Sequence, residues 1–288
     1  MTVSRTIYTV ESDYKTELYV ETWGEGRPLV LLDGIMCNGH VWKYFTPYFS
    51  DYKIIHLHYP GHGNSAVPYL FSDLSAKRLS KDIVNILNFL EVESASFIAH
   101  SFGVQVALET ALDYPGYVDS MVLICGAPGG FISSFSNSRV LQNILTMMEV
   151  SLKFVPSHVS KIWSTMDTDA LVTLAKKSNF VNSRLVTIED LKPYFEGFFK
   201  THPATVVKMV RASEKLNLFE RLEEIKNIKS LIIAGANDRF IPYEISKKMY
   251  HKLAESEFFL ARAGTHSLPL EQPDLINLKI EEFLASVK

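Results

Sequence analysis

The sequence predicts an α/β fold, a mostly parallel sheet flanked by helices and interrupted by a long helical insertion. Three observations carry this. Short apolar runs alternate with stretches of helical spacing over residues 18–130, and the alternation resumes at residue 229. Between these parts, residues 131–218 carry helical patterns and no strand pattern. Finally, most of the apolar runs end in loops rich in glycine or chemically active side chains. In open α/β sheets, ligands bind beyond the carboxyl ends of the strands. An insertion that leaves and re-enters at those ends would cover the site.

The elements follow in order. Leu18 to Trp23 and Pro28 to Leu32 read as strands, with Gly24-Glu25-Gly26 as the turn between them. The second strand runs into Asp33-Gly34-Ile35, and a short helix is expected over His40 to Phe49. Lys53 to His58 is the next strand, ending in the loop Tyr59-Pro60-Gly61-His62-Gly63-Asn64-Ser65. Asp73 to Leu90 has an amphipathic helical pattern, with Ile83, Ile86, Leu87 and Leu90 on one face. Ser94 to Ala99 is a buried strand. Val104, Ala107, Leu108 and Ala111 then begin a helix that ends before Pro115. Val118 to Cys125 and Lys229 to Ala234 are strands, stopping at Gly126 and at Gly235-Ala236-Asn237-Asp238. A helix over Pro242 to Leu253, a strand over Glu257 to Leu260, the loop Ala263-Gly264-Thr265-His266 and a helix from Pro273 complete the chain.

Composition bounds the function. Of 288 residues, 47% are hydrophobic and 21% charged, as in soluble globular proteins. A net charge of −3 argues against broad binding to nucleic acid or anionic membranes. Cys37 and Cys125 have no CxxC partners, so no metal or disulfide framework is expected, and a reducing, cytoplasmic location is. The first residues lack the apolar core of a signal peptide, and no run reaches the roughly 18 apolar residues of a membrane span. No cofactor is expected; the oligomeric state is left open.

The stretch Ala99-His100-Ser101-Phe102-Gly103 lies where strand spacing turns into helix spacing. A turn this sharp needs small flanking residues, and it exposes the Ser101 hydroxyl beside a helix N-terminus. The stretch resembles the nucleophile elbow of the α/β-hydrolase family, with Ala99 at the first glycine position. Two further loops strengthen the resemblance. Asp238 sits in Gly235-Ala236-Asn237-Asp238-Arg239-Phe240-Ile241-Pro242, like the family's acid loop. His266 sits in Gly264-Thr265-His266-Ser267, followed by Glu271-Gln272-Pro273, like its histidine loop. Ser101, Asp238 and His266 stand in the family's chain order of nucleophile, acid and base. A serine hydroxyl is a poor nucleophile without an adjacent base, and the base needs an orienting group.

The resemblance implies an eight-stranded sheet in a core domain of residues 1–130 and 219–288, with residues 131–218 as a helical cap. It also implies an oxyanion hole made by the backbone N–H groups of Ile35 and Phe102. Two positions depart from the family pattern. Asp33-Gly34 stands where His-Gly is usual, and His58 stands where an aspartate is usual. The departures look reciprocal, so Asp33 and His58 are expected to form the supporting polar pair with its members exchanged. An inward-pointing Asp33 carboxylate would oppose an oxyanion, which keeps open a non-catalytic binding module. His100 is assigned to packing.

The resemblance implies a serine hydrolase acting on a carboxylic ester or related acyl bond. The same apparatus is similar to that of C–C hydrolases, lactonases, acyltransferases and perhydrolases. Epoxide hydrolases and haloalkane dehalogenases carry aspartate at the elbow, where this chain has Ser101. The insertion is rich in large apolar residues, among them Met147, Phe154, Trp163, Phe180, Tyr194 and Phe198. A small-molecule substrate with an apolar acyl or aromatic part is therefore expected.

Overall fold

In a computed structural model, described over residues 4–69, 73–130, 138–177 and 181–287, eight strands form one sheet. They are β1 (Thr6–Glu11), β2 (Glu17–Trp23), β3 (Pro28–Leu32), β4 (Lys53–Leu57), β5 (Ala95–His100), β6 (Val118–Ile124), β7 (Lys229–Gly235) and β8 (Ser256–Ala261). Their order is β1-β2-β4-β3-β5-β6-β7-β8. β1 and β2 run antiparallel to their neighbours, and all other pairs are parallel. The predicted mostly parallel sheet is observed. Two details differ. β4 lies between β2 and β3, so the Gly24–Gly26 turn does not join paired strands. β1 carried no apolar signal, because it is an edge strand with one buried residue, Val10.

Strand alternation builds a core on each face. Val30 and Leu32 belong to one apolar cluster and Leu29 and Leu31 to the other. Around the sheet lie α1 (Phe45–Tyr48), α2 (Ala76–Phe89) and α3 (Gly103–Asp113). Ser75 caps α2 by accepting from the Arg78 N–H at 3.2 Å. Among the described residues, five α-helices lie between β6 and β7: α4 (Ser138–Phe154), α5 (Pro156–Ser164), α6 (Thr168–Lys177), α7 (Ile188–Lys200) and α8 (Pro203–Lys215). Then come α9 (Tyr243–Lys252), α10 (Leu268–Glu271) and α11 (Pro273–Ser286). Residues 131–137, at the start of the expected insertion, and Phe180 within it lie outside the described residues. Among the described residues, no helix is long and apolar enough to cross a membrane.

The chain order reverses at β3: the chain passes from β3 to β4 on one side, then returns to β5 on the other. The loops after β3 and β5 therefore diverge and open a crevice at the carboxyl edge. Gly34–Ile35 and Ser101 stand there. The helices α4–α8 are tied down beside this crevice. Asp190 on α7 accepts from Lys43 Nζ at 2.7 Å and Tyr44 Oη at 2.6 Å. Asn182 donates its N–H to Glu271 Oε1 at 2.6 Å and its Nδ2 to the Ala263 carbonyl at 2.8 Å.

Candidate active site

Ser101 has φ +57°, a left-handed conformation that costs a non-glycine residue energy and recurs at functional turns. The turn is locked by the Ser101 N–H donating to the Ile124 carbonyl at 3.0 Å. Gly103 follows because β3 presses against it: a Cβ there would lie 2.3 Å from the Leu32 carbonyl oxygen. Ala99, at the first small position, is fully buried.

The structure brings Ser101, His266 and Asp238 together. His266 Nε2 is 2.9 Å from Ser101 Oγ, and His266 Nδ1 is 2.9 Å from Asp238 Oδ2. The carboxylate accepts at Nδ1, which assigns the proton to that nitrogen and leaves Nε2 bare toward the serine. Asp238 Oδ1 accepts from the N–H groups of Phe240 and Ile241 at 2.8 and 2.9 Å, so the acid is oriented by its own turn. All three residues are buried.

Ser101 lies on an apolar cavity of about 370 Å³. Ile35 and Phe102 line it from the core side; Leu171, Tyr194, Phe198 and Val210 line it from α6, α7 and α8. Among the described lining residues none is a lysine, arginine, aspartate or glutamate. A Cβ on Gly34 would come within 3.1 Å of Ser101 Cβ, so the backbone after β3 passes directly beside the nucleophile candidate.

The pair expected between Asp33 and His58 is corrected by the structure. Asp33 Oδ2 bonds His56 Nε2 at 3.0 Å, and its Oδ1 accepts from Trp42 Nε1 at 2.7 Å. His56 Nδ1 in turn bonds Glu21 Oε1 at 3.1 Å, and Glu21 Oε2 accepts from Arg5 at 2.8 Å. His58 is held elsewhere: its Nδ1 accepts the Asn64 N–H at 2.9 Å and its ring stacks on Tyr19. His56 and His58 share one strand parity, so spacing did not separate them. The Asn64 N–H and the close Gly63 backbone decide, because they occupy the His58 ring nitrogen.

Burial alone would discharge His56. The Asp33 and Glu21 carboxylates reverse this and hold its pKa up at about 9. Burial would raise Glu21, but the His56 hydrogen bond and charge bring it down to about 2. Burial likewise opposes the Asp33 charge, and His56 outweighs it, so that carboxyl is lowered. His58 is pushed down to about 4 by burial and by the neighbouring His56 charge. Glu21, His56 and His58 place ligand atoms near one another. Yet both His56 nitrogens donate to carboxylates, and His58 Nδ1 is committed to Asn64. The cluster is a closed ion-pair chain, not an open metal cage. It also turns the Asp33 carboxylate toward His56 and Trp42, away from any role against an oxyanion.

Two further histidines were missed as positioning groups. His100 Nε2 donates to the His266 carbonyl at 2.9 Å, fixing the backbone of that loop. Burial and the His266 ring lower His100 to about 4. His62 Nδ1 donates to the Pro60 carbonyl at 3.0 Å, and its Nε2 accepts the Met36 N–H at 3.0 Å. Burial lowers its pKa to about 4, which keeps Nε2 free to accept. His62 therefore pins the loop that carries Ile35. The Gly-His-Gly spacing around it was the available signal. Glu271 accepts from the Thr265 N–H and hydroxyl at 2.7 and 2.6 Å, bracing the His266 loop.

Comparison with known proteins agrees with this architecture. The family model for the alpha/beta hydrolase fold matches residues 27–273. The uncharacterized hydrolase YugF of Bacillus subtilis is 24% identical, covering 90% of each chain. A 2-hydroxy-6-oxononadienedioate/2-hydroxy-6-oxononatrienedioate hydrolase of Escherichia coli is 25% identical, covering 98% of this chain and 96% of that one. Among solved structures, an esterase from Exiguobacterium antarcticum matches with a TM-score of 0.78 at 18% identity, covering 97% of this chain and 100% of the other. With a family match running from β3 almost to α11, the chain belongs to the α/β-hydrolase fold family and is a hydrolase.

Proposed function

We propose that the protein is a serine hydrolase that cleaves a carboxylic ester or related acyl bond of a small substrate with an uncharged, apolar acyl or aromatic part. The observation that carries this is the unbroken hydrogen-bond chain Asp238–His266–Ser101 opening on an apolar cavity. Ser101 Oγ attacks the carbonyl carbon while His266 Nε2 takes its proton. Asp238 keeps His266 in the tautomer with Nδ1 protonated and stabilises the imidazolium. The carbonyl oxygen becomes an oxyanion beside the N–H groups of Ile35 and Phe102, at the start of α3, where the helix dipole adds to the stabilisation. His266 then passes the proton to the departing oxygen. Water, deprotonated by the same nitrogen, releases the acyl group from Ser101. The helices α4–α8 act as the cap that shapes the cavity and keeps bulk water from it.

The cavity supports an uncharged ester over the kind of substrate named for the Escherichia coli relative. That relative's substrates are dioates, and a second carboxylate buried in this cavity would meet no described cationic side chain. The Asp33 orientation removes the one argument for a non-catalytic module. A fluorophosphonate probe tests the reading: labelling is expected in the native protein and absent in Ser101→Ala. A folded native protein that resists the probe, while nitrophenyl esters of varied chain length go unhydrolysed, would overturn it.

A further inference from the structure

One face of α7 lies along the loop that carries Ile35. Asp190, Tyr194 and Gly197 stand at i, i+4 and i+7, so they share that face. Each of them meets the chain that follows β3. The Asp190 carboxylate accepts from Lys43 and Tyr44, and its backbone carbonyl accepts from His40 Nε2 at 2.9 Å. The Tyr194 hydroxyl bonds to the Cys37 side chain. Gly197 lets the helix backbone close in: a Cβ there would lie 3.0 Å from Asn38 Oδ1 and 3.4 Å from the Met36 carbonyl oxygen. Contact with α7 therefore extends along the loop from Met36 to Tyr44.

The contact at Cys37 reaches the peptide between Ile35 and Met36. Burial, together with the nearby Asp33 charge, pushes the Cys37 thiol up, so it keeps its proton. The thiol donates to the Ile35 carbonyl, with Sγ 3.7 Å from the oxygen. Its sulfur lone pairs are then left to accept from the Tyr194 hydroxyl. On the other side of the same peptide, the Met36 N–H donates to His62 Nε2 at 3.0 Å. A peptide unit is planar, so holding its carbonyl and its N–H fixes the whole plane. Met36 needs such support, because its φ of +68° is a left-handed conformation that costs a residue with a side chain energy. The sheet side supplies one anchor through His62, and α7 supplies the other through Tyr194. Among the described residues that line the substrate cavity, Tyr194 is the one polar side chain contributed by α4–α8.

We infer that Tyr194 is a positioning residue for the oxyanion site: through Cys37 it holds the Ile35–Met36 peptide, so that α7 sets where the Ile35 N–H points. This rests on the serine hydrolase reading and on Ile35 as an oxyanion donor. Tyr194 acts only through Cys37, and its hydroxyl makes no bond to the reacting atoms. A donor aligned in this way is in place only while α7 is seated on the loop. The helix that walls the cavity therefore also completes the site that stabilises the transition state.

Steady-state kinetics on nitrophenyl esters test this, with the fold of each variant checked by circular dichroism. Tyr194→Phe keeps the ring and removes the hydroxyl. It is expected to lower kcat by about threefold to tenfold, the worth of one neutral hydrogen bond, with KM little changed. Cys37→Ala is expected to do the same, while Cys37→Ser, which keeps a donor and an acceptor, retains most of the native rate. Both residues act through one chain of bonds. The double variant Tyr194→Phe/Cys37→Ala is therefore expected to be no slower than the slower single variant. Gly197→Ala favours the helix but presses on Asn38, and kcat is expected to fall by a similar factor. A rise in KM with kcat unchanged in Tyr194→Phe overturns the proposal, because it makes the hydroxyl a substrate contact. Losses that multiply in the double variant overturn it too, since they assign the two residues separate roles in the cavity wall. Unchanged kinetics in Tyr194→Phe and Cys37→Ala, in a protein that the fluorophosphonate probe labels at Ser101, overturn this inference alone. A folded native protein that resists the probe and leaves the esters intact overturns the hydrolase reading along with it.

Discussion

Two buried histidines, His56 on β4 and His266 in the loop after β8, are each bonded to a buried aspartate, and only one of them faces a hydroxyl. His266 has Asp238 on Nδ1 and the Ser101 hydroxyl on Nε2. His56 has Asp33 on Nε2 and Glu21 on Nδ1. A ring flanked by two carboxylates donates from both nitrogens and is a fixed cation. A ring flanked by one carboxylate and one hydroxyl keeps a lone pair for the hydroxyl proton. The residue types are nearly the same, and the second partner decides whether the histidine serves chemistry or structure.

The largest expected effects break the comparison on the His266 side. Ser101→Ala and His266→Ala are each expected to lower kcat by about 10⁴-fold or more, with the fold intact by circular dichroism. His58→Ala is expected to leave turnover largely in place. If His58→Ala abolished turnover and His266→Ala did not, the roles assigned here would be reversed.

The His56 side breaks differently. His56→Ala leaves the buried Asp33 carboxylate without its counter-charge and Glu21 with Arg5 alone, and is expected to cost about 3–5 kcal/mol of stability. Activity per folded molecule should fall by less than tenfold. pH sharpens the point. His56 has a pKa raised from its ordinary 6.5 to about 9, so its stabilising charge is fully present below pH 6.5. That contribution is lost as pH rises through about 9. The native protein should therefore lose thermal stability between these values, and His56→Gln should lose much less. Equal losses in both would show that His56 is not charged in the folded protein.

How far the sequence alone revealed these two histidines follows from where their information lies. Ser101, Asp238 and His266 each sit in a short strand-end loop whose local pattern is readable, and the order of the three loops adds the rest. The choice between His56 and His58 was not readable. Both lie on one face of one run, and the Asn64 N–H, six residues on, settles it. β1 escaped notice because an exposed edge strand needs no apolar alternation. Within the insertion, sequence did not separate covered apolar residues such as Leu145 from exposed ones such as Met147, since an apolar pattern does not say whether anything covers it. Sequence pattern therefore reported the fold and the three side chains that the structure brings together, while partner choice and coverage needed coordinates.

A smaller effect is expected at His62. Its Nε2 accepts the Met36 N–H and so sets the loop that presents the Ile35 N–H. His62→Ala should lower kcat by about tenfold to a hundredfold while KM changes little, because a displaced oxyanion donor weakens the transition state more than the ground state. An increase in KM alone would make His62 part of substrate binding instead.

The smallest effect is expected at Glu271, which neither reacts nor touches the serine. Its carboxylate accepts from the Thr265 N–H and hydroxyl and from the Asn182 N–H, joining the His266 loop to the stretch before α7. Glu271→Gln keeps the shape but turns one acceptor into a donor that faces an N–H or O–H. Losing one charge-assisted bond is expected to cost about 1.5–3 kcal/mol of stability. His266 itself stays held by Asp238 on its ring and by His100 on its carbonyl. Turnover should therefore fall by about tenfold or less, with the loss falling mainly on bulky esters if the Asn182 contact positions the cavity wall. A loss as large as that of His266→Ala would mean that His266 has no adequate support without Glu271, and that the histidine loop is held from the helical side rather than from the sheet.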